Sequence, residues 1–160
     1  MTDKHFVPGG EGLVKIKFLL PPEEHAEAEW LWAEPLGDSA FRLKNTPLFV
    51  EGIGCEDVVE AALDEEYRVL VFRQVIRRAG HSTYRVAVQP GISDERANAA
   101  RDLLVSRGCV IEGLSPRMYA IDIPPSTDID EIYEILEKVM ADGTWLFDEM
   151  HVGHALRREP

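Results

Sequence analysis

The sequence MYAIDIPPSTDIDEIYEILEKVMADGTWLFDEM, residues 118–150, contains the strongest periodic signal in the chain. Its central apolar residues recur at i, i+3, i+4, i+7, i+10 and i+11, the spacing of one face of an amphipathic helix. Thr127 is placed to cap this helix and Gly143 to end it. Apolar strands are expected just before Pro124-Pro125 and just after Gly143. The apolar stripe comprises Ile129, Ile132, Tyr133, Leu136, Val139 and Met140.

Residues 82–123 predict the first strand, the first helix and the two middle strands of the same domain. Residues 83–89 alternate apolar and polar side chains, which is the period of a half-buried strand. Ser93 is a suitable N-cap for a helix that reaches about Arg107, and Gly108 follows as the residue that ends it. Two apolar strands, at residues 109–112 and 118–123, then flank a short loop. Strand, helix, two strands, helix and strand predict a ferredoxin-like β-α-β-β-α-β sandwich over residues 82–151.

Short strands separated by turns fill the first half of the chain. This pattern predicts a small β-barrel over residues 13–81, SH3-like in our interpretation, with a curved meander as the alternative. Residues 1–12 are interpreted as a flexible arm and residues 152–160 as a C-terminal tail. The predicted fold class is therefore α+β. The expected strands of the first half are residues 13–20, 29–35, 40–45, 57–62 and 67–77, with a short piece at 48–50.

The composition is that of a globular protein. The 160 residues are 45% hydrophobic and 29% charged, which disfavours intrinsic disorder. The N-terminal stretch MTDKHFVPGG has no apolar signal-peptide core, and no run approaches the roughly 18 apolar residues of a membrane span. Cys55 and Cys109 lack CxxC spacing, which fits a reducing compartment better than a disulfide. We expect a cytoplasmic protein with no membrane partner.

The charge narrows the classes of partner. The formal net charge is −12, from 17 basic and 29 acidic residues. Because Lys and Arg provide the affinity of a protein for a phosphate backbone, this excess of acid disfavours nucleic acid. The same charge favours a basic protein partner. An acidic run is interpreted as a solvated turn or as the rim of such a contact surface, and it comprises Glu23, Glu24, Glu27 and Glu29.

Two stretches resemble a known bacterial family. They are LWAEPLGDSAFRLKNTPLFVEGIGCEDVVEA at residues 31–61 and AGHSTYRV at residues 79–86, and they are similar to the family catalogued as domain of unknown function 4265. The chain departs from the family pattern at Cys55-Glu56-Asp57, where a glycine is expected before the aspartate. The resemblance implies a bacterial cytosolic protein. It transfers no catalytic residue, because no reaction comes with it.

The segment from Gly80 to Arg85 joins the predicted barrel to the predicted sheet and is rich in polar side chains. Arg85 is a bidentate donor, the Ser82 and Thr83 hydroxyls are further donors, and His81 exchanges protons near neutral pH. These residues, with the nearby Arg77 and Arg78, are the candidate site for a phosphate or carboxylate ligand. In the alternative interpretation, His81 and Ser82 satisfy turn backbone groups and Arg85 pairs with an acidic neighbour.

Nucleophilic and metal chemistry are both disfavoured. His81 and Ser82 are neighbours on a strand and therefore point to opposite faces, and the chain has no GxSxG motif. The spacing His151-x-x-His154, combined with His25 or Glu149, is a weak zinc pattern. Solvated histidines near the chain end explain it better. We expect neither a metal ion nor another cofactor.

Two further clusters suggest binding surfaces. Trp30 and Trp32 share one strand face and, with Phe41 across the hairpin, would form an aromatic platform, although core packing is the simpler interpretation. A basic cluster would carry any contact with RNA, but no paired RNP aromatics accompany it. This cluster comprises Arg73, Gln74, Arg77, Arg78 and Arg85.

Three functional hypotheses follow. The first is a non-catalytic acidic binding protein, an immunity or regulatory factor that occupies a basic protein partner. The second is an enzyme or ligand sensor that binds a small anion through His81, Ser82, Thr83 and Arg85. The third is an RNA-associated factor that uses the basic cluster. The first is preferred, because no catalytic constellation of credible geometry is found.

Overall fold

The computed structural model describes residues 12–24 and 26–155. Most of the predicted arm, His25 and the last part of the predicted tail lie outside the described residues. Within these ranges the chain forms nine strands and two helices. They are β1 Val14–Leu19, β2 Ala28–Gly37, β3 Ala40–Leu43, β4 Val58–Asp64, β5 Val69–Arg77, β6 Ser82–Val88, α1 Asp94–Ser106, β7 Val110–Ser115, β8 Met118–Ile123, α2 Ile129–Ala141 and β9 Trp145–His151.

The first five strands close into a barrel. Consecutive strands pair antiparallel, and a parallel pairing of β1 with β5 at Ile16↔Leu70 and Lys17↔Val71 completes the ring. Closure leaves no open sheet edge, which excludes an open meander. Asp38 and Ser39 join β2 to β3 with φ angles of 51° and 63°, as a two-residue hairpin turn requires. The barrel core contains Ile16, Phe18, Leu31, Ala33, Phe41, Leu43, Ile53, Val59 and Ala61.

The other four strands form an antiparallel sheet in the order β7-β8-β6-β9. Helices α1 and α2 cover one face, because alternate residues of β6 and β8 share a buried core with residues of both helices. The indole of Trp145 donates to the carbonyl of Leu136 at 3.1 Å and ties β9 to α2. This core includes Tyr84, Val86, Leu104, Tyr119, Ile121, Ile123, Ile132, Leu136 and Trp145.

The predicted fold class, α+β with an SH3-like barrel and a ferredoxin-like sandwich, is wrong. Strands make up 43% and helices 18% of the described residues, so the chain is a mostly β protein of two sheets. Each helix is only 13 residues long. Both predicted helices are present, but within the described residues the nine strands of the two sheets contain more than twice as many residues as the helices, and that proportion makes the class mostly β.

Of the predicted helix caps and short strands, some are present in the structure and others are not. Ser93 is the N-cap of α1, as predicted, and its hydroxyl accepts from the amide of Arg96. The predicted Thr127 cap is wrong, because the carboxylate of Asp128 caps α2 by accepting from the amides of Asp130 and Glu131. The piece predicted as a strand at residues 48–50 lies in the connection between β3 and β4. That connection, residues 44–57, is called the junction loop below.

The junction loop packs on the face of the second sheet that the helices leave open. The side chain of Asn45 donates to Glu112 of β7 at 3.4 Å, and Arg85 of β6 donates to the Leu48 carbonyl at 3.3 Å. The amide of Gly52 donates to the carbonyl of Met150 in β9 at 3.0 Å. The loop therefore contacts three strands of the sheet while it belongs to the barrel.

Candidate functional site

Buried carboxylates hold the junction loop in shape. Glu29 is 3% exposed, and its two oxygens accept from the backbone amides of Leu48, Phe49 and Val50 at 2.9, 3.1 and 3.1 Å. A buried carboxylate is stable when such charge-assisted bonds replace its water shell. Glu29 therefore has a structural role, and its interpretation as part of a solvated turn is wrong.

A second buried carboxylate, Asp57, closes the other end of the loop. It accepts from the amides of Gly54 and Ala79 at 2.9 and 2.8 Å, and from the guanidinium of Arg78 at 3.2 Å. Arg78 also donates to the carbonyl of Gly52. Arg78 therefore stabilises the junction loop through these hydrogen bonds. Arg77 is exposed on β5.

His81 lies where the junction loop meets the sheet. Its Nδ1 is 2.8 Å from a carboxylate oxygen of Asp122 in β8. Burial raises the pKa of Asp122, and the bond to His81 partly opposes that shift. Burial, followed by the negative charges of Asp122, Glu112 and Glu56, raises the pKa of the Cys55 thiol. A thiol that stays protonated is a poor nucleophile, so this cluster does not support cysteine chemistry.

Ser82 is hydrogen-bonded to Gly153 and His154 rather than to His81. Its Oγ accepts from the amides of Gly153 and His154 at 2.9 and 3.2 Å and lies 2.6 Å from Nδ1 of His154. Nε2 of His154 lies 2.9 Å from the carbonyl of Pro124, so it carries the proton and Nδ1 accepts from the serine. Because the Ser82 side chain is fully buried and hydrogen-bonded to this segment, it holds residues 152–155 against β6.

His151, the last residue of β9, and His154 are not simply solvated, so that part of the interpretation is wrong. His151 and His154 are both half-buried. Within residues 12–24 and 26–155, no group of three or more His, Cys, Asp or Glu side chains is arranged to hold a metal ion. His25 lies outside those ranges.

Thr83 occupies the centre of a polar row across the open face of the sheet. It pairs with Asp122 on β8 and with His151 on β9. Thr83 is fully buried, and neither its hydroxyl nor Nε2 of His151 has a hydrogen-bond partner among the described residues. Burial and the positive charge of Arg78 lower the pKa of His151. The row therefore favours a neutral imidazole.

Arg85 points to the barrel and to β9. Its guanidinium donates to Asp148 at 2.9 Å, reaches the Leu48 carbonyl, and lies 5.9 Å from the ring centre of Phe49. His81, Ser82 and Arg85 therefore each engage a different part of the molecule. The anion-binding role of the Gly80–Arg85 segment stays a prediction, as does the role of the basic cluster in RNA binding.

The two tryptophans lie outside the barrel. Their neighbours Leu31 and Ala33 fill its core, and Phe41 points inward with them. Each indole instead meets a lysine of β1, with Lys17 at 5.7 Å from Trp30 and Lys15 at 5.0 Å from Trp32. The predicted platform with Phe41 and the alternative of core packing are both wrong.

An apolar groove of about 520 Å³ lies between β1, β5 and the junction loop. The stacked rings of Phe18 and Phe72, 4.7 Å apart, form part of its wall, and Leu19 at its edge is 69% exposed. Sequence analysis missed this groove, because Phe49 reaches it from a distant loop. The sequence signal for this groove was the acidic run, which contains Glu23 and Glu24. The acidic residues that line the groove are Glu23, Glu24 and Glu51.

Comparison with known proteins places the chain in a family. The chain belongs to the family described as Domain of unknown function (DUF4265), whose model matches residues 29–147. Among solved structures it is similar to the crystal structure of a hypothetical protein from Neisseria gonorrhoeae, with a TM-score of 0.74 at 18% identity. The match covers 89% of this chain and 97% of that one, and at this identity it shows the fold alone. Comparison with curated proteins gives no match.

Neither α1 nor α2, the helices of the described ranges, is long and apolar enough to cross a bilayer.

Proposed function

We propose that this chain is a non-catalytic binding protein that holds a basic segment of a protein partner in the acid-lined apolar groove. The observation that carries the proposal is the groove itself, in which aromatic side chains lie beside three glutamates. An immunity or regulatory factor acts in this way, by occupying its partner, and that is the role we propose.

The lining of the groove indicates the chemistry of its occupant. Leu19 and the rings of Phe49 and Phe72 suit an apolar side chain, since burying one contributes about 1.5–3 kcal/mol. Glu23, Glu24 and Glu51 attract Lys or Arg on either side of it. The expected segment therefore has a Leu, Met or aromatic residue flanked by basic residues.

The wall of the groove supports binding because it is held rigidly. Phe49 and Val50 belong to the three-residue stretch whose backbone amides donate hydrogen bonds to the Glu29 carboxylate. Arg85 contacts the same stretch through the Leu48 carbonyl and the Phe49 ring. A preorganised wall lowers the entropic cost of binding. In this proposal Arg85 is a positioning residue.

The net charge of −12 supports the same conclusion at long range. An acidic protein attracts a basic partner and accelerates its association, and salt screens this attraction. Binding at the groove should therefore weaken as ionic strength rises.

An arrayed library of basic peptides with a central apolar residue tests the proposal. Wild type is compared with Leu19→Glu, which removes apolar contact, and with the triple variant Glu23→Gln/Glu24→Gln/Glu51→Gln. We expect a subset of peptides to bind wild type, to lose about tenfold or more in affinity with either variant, and to dissociate at about 0.5 M salt.

Matched controls separate the groove from general acidity. Glu65→Gln/Glu66→Gln removes charge from the exposed β4–β5 turn, and Leu146→Glu changes an exposed apolar residue of β9. These variants should bind as wild type does. The proposal is wrong if no peptide prefers wild type to Leu19→Glu, or if the control variants lose as much affinity.

A further inference from the structure

A pocket of about 310 Å³ lies between α1 and the β7–β8 hairpin, away from the groove. Its size is at the lower end of the range for small-molecule sites. Ile111, Leu114 and Pro116 provide apolar lining, and Arg101, Ser115 and Tyr119 provide polar groups. Of the described residues that line it, Arg101 is the one with a full charge.

The phenol of Tyr119 is the unusual feature of this pocket. Tyr119 is 1% exposed, and its buried hydroxyl has no hydrogen-bond partner in the described part of the chain. An unpaired buried hydroxyl destabilises the fold, so native proteins contain few of them and each one calls for an explanation. Burial raises the pKa of Tyr119, so the phenol keeps its proton and is a donor.

Backbone geometry makes room for this tyrosine. Gly113 lies directly opposite Tyr119 in the β7–β8 pair, next to a bulge between Gly113 and Ser115. A Cβ atom at residue 113 would come within 2.6 Å of the Tyr119 Cβ. Glycine is therefore required for the ring to take this position.

Arg101 reaches the same pocket from α1. Its positive charge acts on Tyr119, lowering the phenol pKa against the larger effect of burial. Its ion pair is with the adjacent Asp102, at 3.5 Å, and the Asp102 side chain is 71% exposed. An exposed pair of this kind contributes little stability, so a ligand carboxylate can compete for the guanidinium.

The neighbouring cleft limits the charge that a ligand can carry. Asp94 lines it, and the guanidinium of Arg117 is engaged by Asp94 and by the carbonyls of Gln89 and Ile92. A polyphosphate would meet the carboxylate of Asp94 and find one available arginine. A single carboxylate fits this balance of charge better.

We propose that this pocket binds a small carboxylic acid with an apolar body. The guanidinium of Arg101 holds the carboxylate, and the Tyr119 hydroxyl donates a hydrogen bond to it. Ile111, Leu114 and Pro116 contact the apolar body. This ligand is independent of the protein segment proposed for the groove.

Nuclear magnetic resonance titration of the full chain with benzoate and with hexanoate tests the proposal, with inorganic phosphate as the comparison anion. We expect saturable shifts at the amides of Gly113, Leu114 and Ser115 with at least one carboxylate. Arg101→Gln and Tyr119→Phe should each weaken binding about five- to tenfold, and phosphate should bind more weakly than the carboxylates.

Arg96→Gln is the matched control, because it removes the same charge from α1 where the side chain pairs with Asp142 instead. It should bind the carboxylate as wild type does. Tyr119→Phe keeps the ring and removes an unpaired hydroxyl, so its thermal midpoint should equal or exceed that of wild type. The proposal is overturned if neither carboxylate gives saturable shifts, if phosphate binds as tightly, or if Arg96→Gln weakens binding equally.

Discussion

Single buried side chains determine the shape of the junction loop. Glu29 accepts hydrogen bonds from amides 19 to 21 residues away, and Asp57 accepts from amides 3 and 22 residues away. Both carboxylates are almost fully buried. Ser82 has the corresponding role for the end of the chain, since its hydroxyl joins residues 71 and 72 positions away. These buried polar groups hold backbone segments in place, whereas the sequence pattern suggested a solvated turn or a contact rim for Glu29 and either an anion donor or a turn-stabilising group for Ser82.

Replacing Glu29 should lower the free energy of unfolding. Glu29→Gln keeps one acceptor oxygen for three amides and removes the charge that strengthens these bonds, so we expect a loss of about 2–3 kcal/mol in the free energy of unfolding. Urea denaturation measures it. The control is Glu27→Gln, which changes an exposed residue of the same acidic run. Equal stabilities for the two variants would contradict the structural role of Glu29.

At the scale of elements, the caps show where α1 and α2 begin. Ser93 and Asp128 both precede their helices with extended backbone and accept from amides of the first turn. Thr127 matches the same sequence preference, but its place one residue earlier leaves it outside the cap. A preference for Ser, Thr or Asp therefore indicates a helix start only to within a residue or two.

Two alanine variants distinguish the candidate caps of α2. Asp128→Ala should lower the free energy of unfolding by about 1 kcal/mol, because it removes the acceptor for the first-turn amides. Thr127→Ala should have a smaller effect. Chemical denaturation of both variants provides the measurement, and the reverse order of stabilities would show that Thr127 is the effective cap.

At the scale of the whole molecule, the contact between barrel and sheet makes stability depend on pH. The pKa of His151 is lowered from 6.5 in the folded state, first by burial and then by Arg78, against an opposing effect of Asp57. Because the unfolded state then binds the proton more readily, His151 stabilises the fold above its unfolded pKa, and this contribution is lost as pH falls.

His151→Gln should reduce this dependence. Between about pH 7 and pH 5 the wild type should lose more free energy of unfolding than the variant, and the difference should grow as pH falls. Urea denaturation at a series of pH values measures both curves. Parallel curves for the two proteins would show that His151 does not couple protonation to folding.

The sequence by itself determined the local features: the position of most strands, the Ser93 cap, the apolar stripe of α2 and the family to which the chain belongs. These depend on neighbouring residues and on short periods, which a linear pattern contains. Only the tertiary structure decided that the barrel closes, that Ser82 meets His154, and that Phe49 joins Phe18 and Phe72 in one groove. Such contacts join residues far apart in the chain, and strand register and burial select them, so no local pattern encodes them.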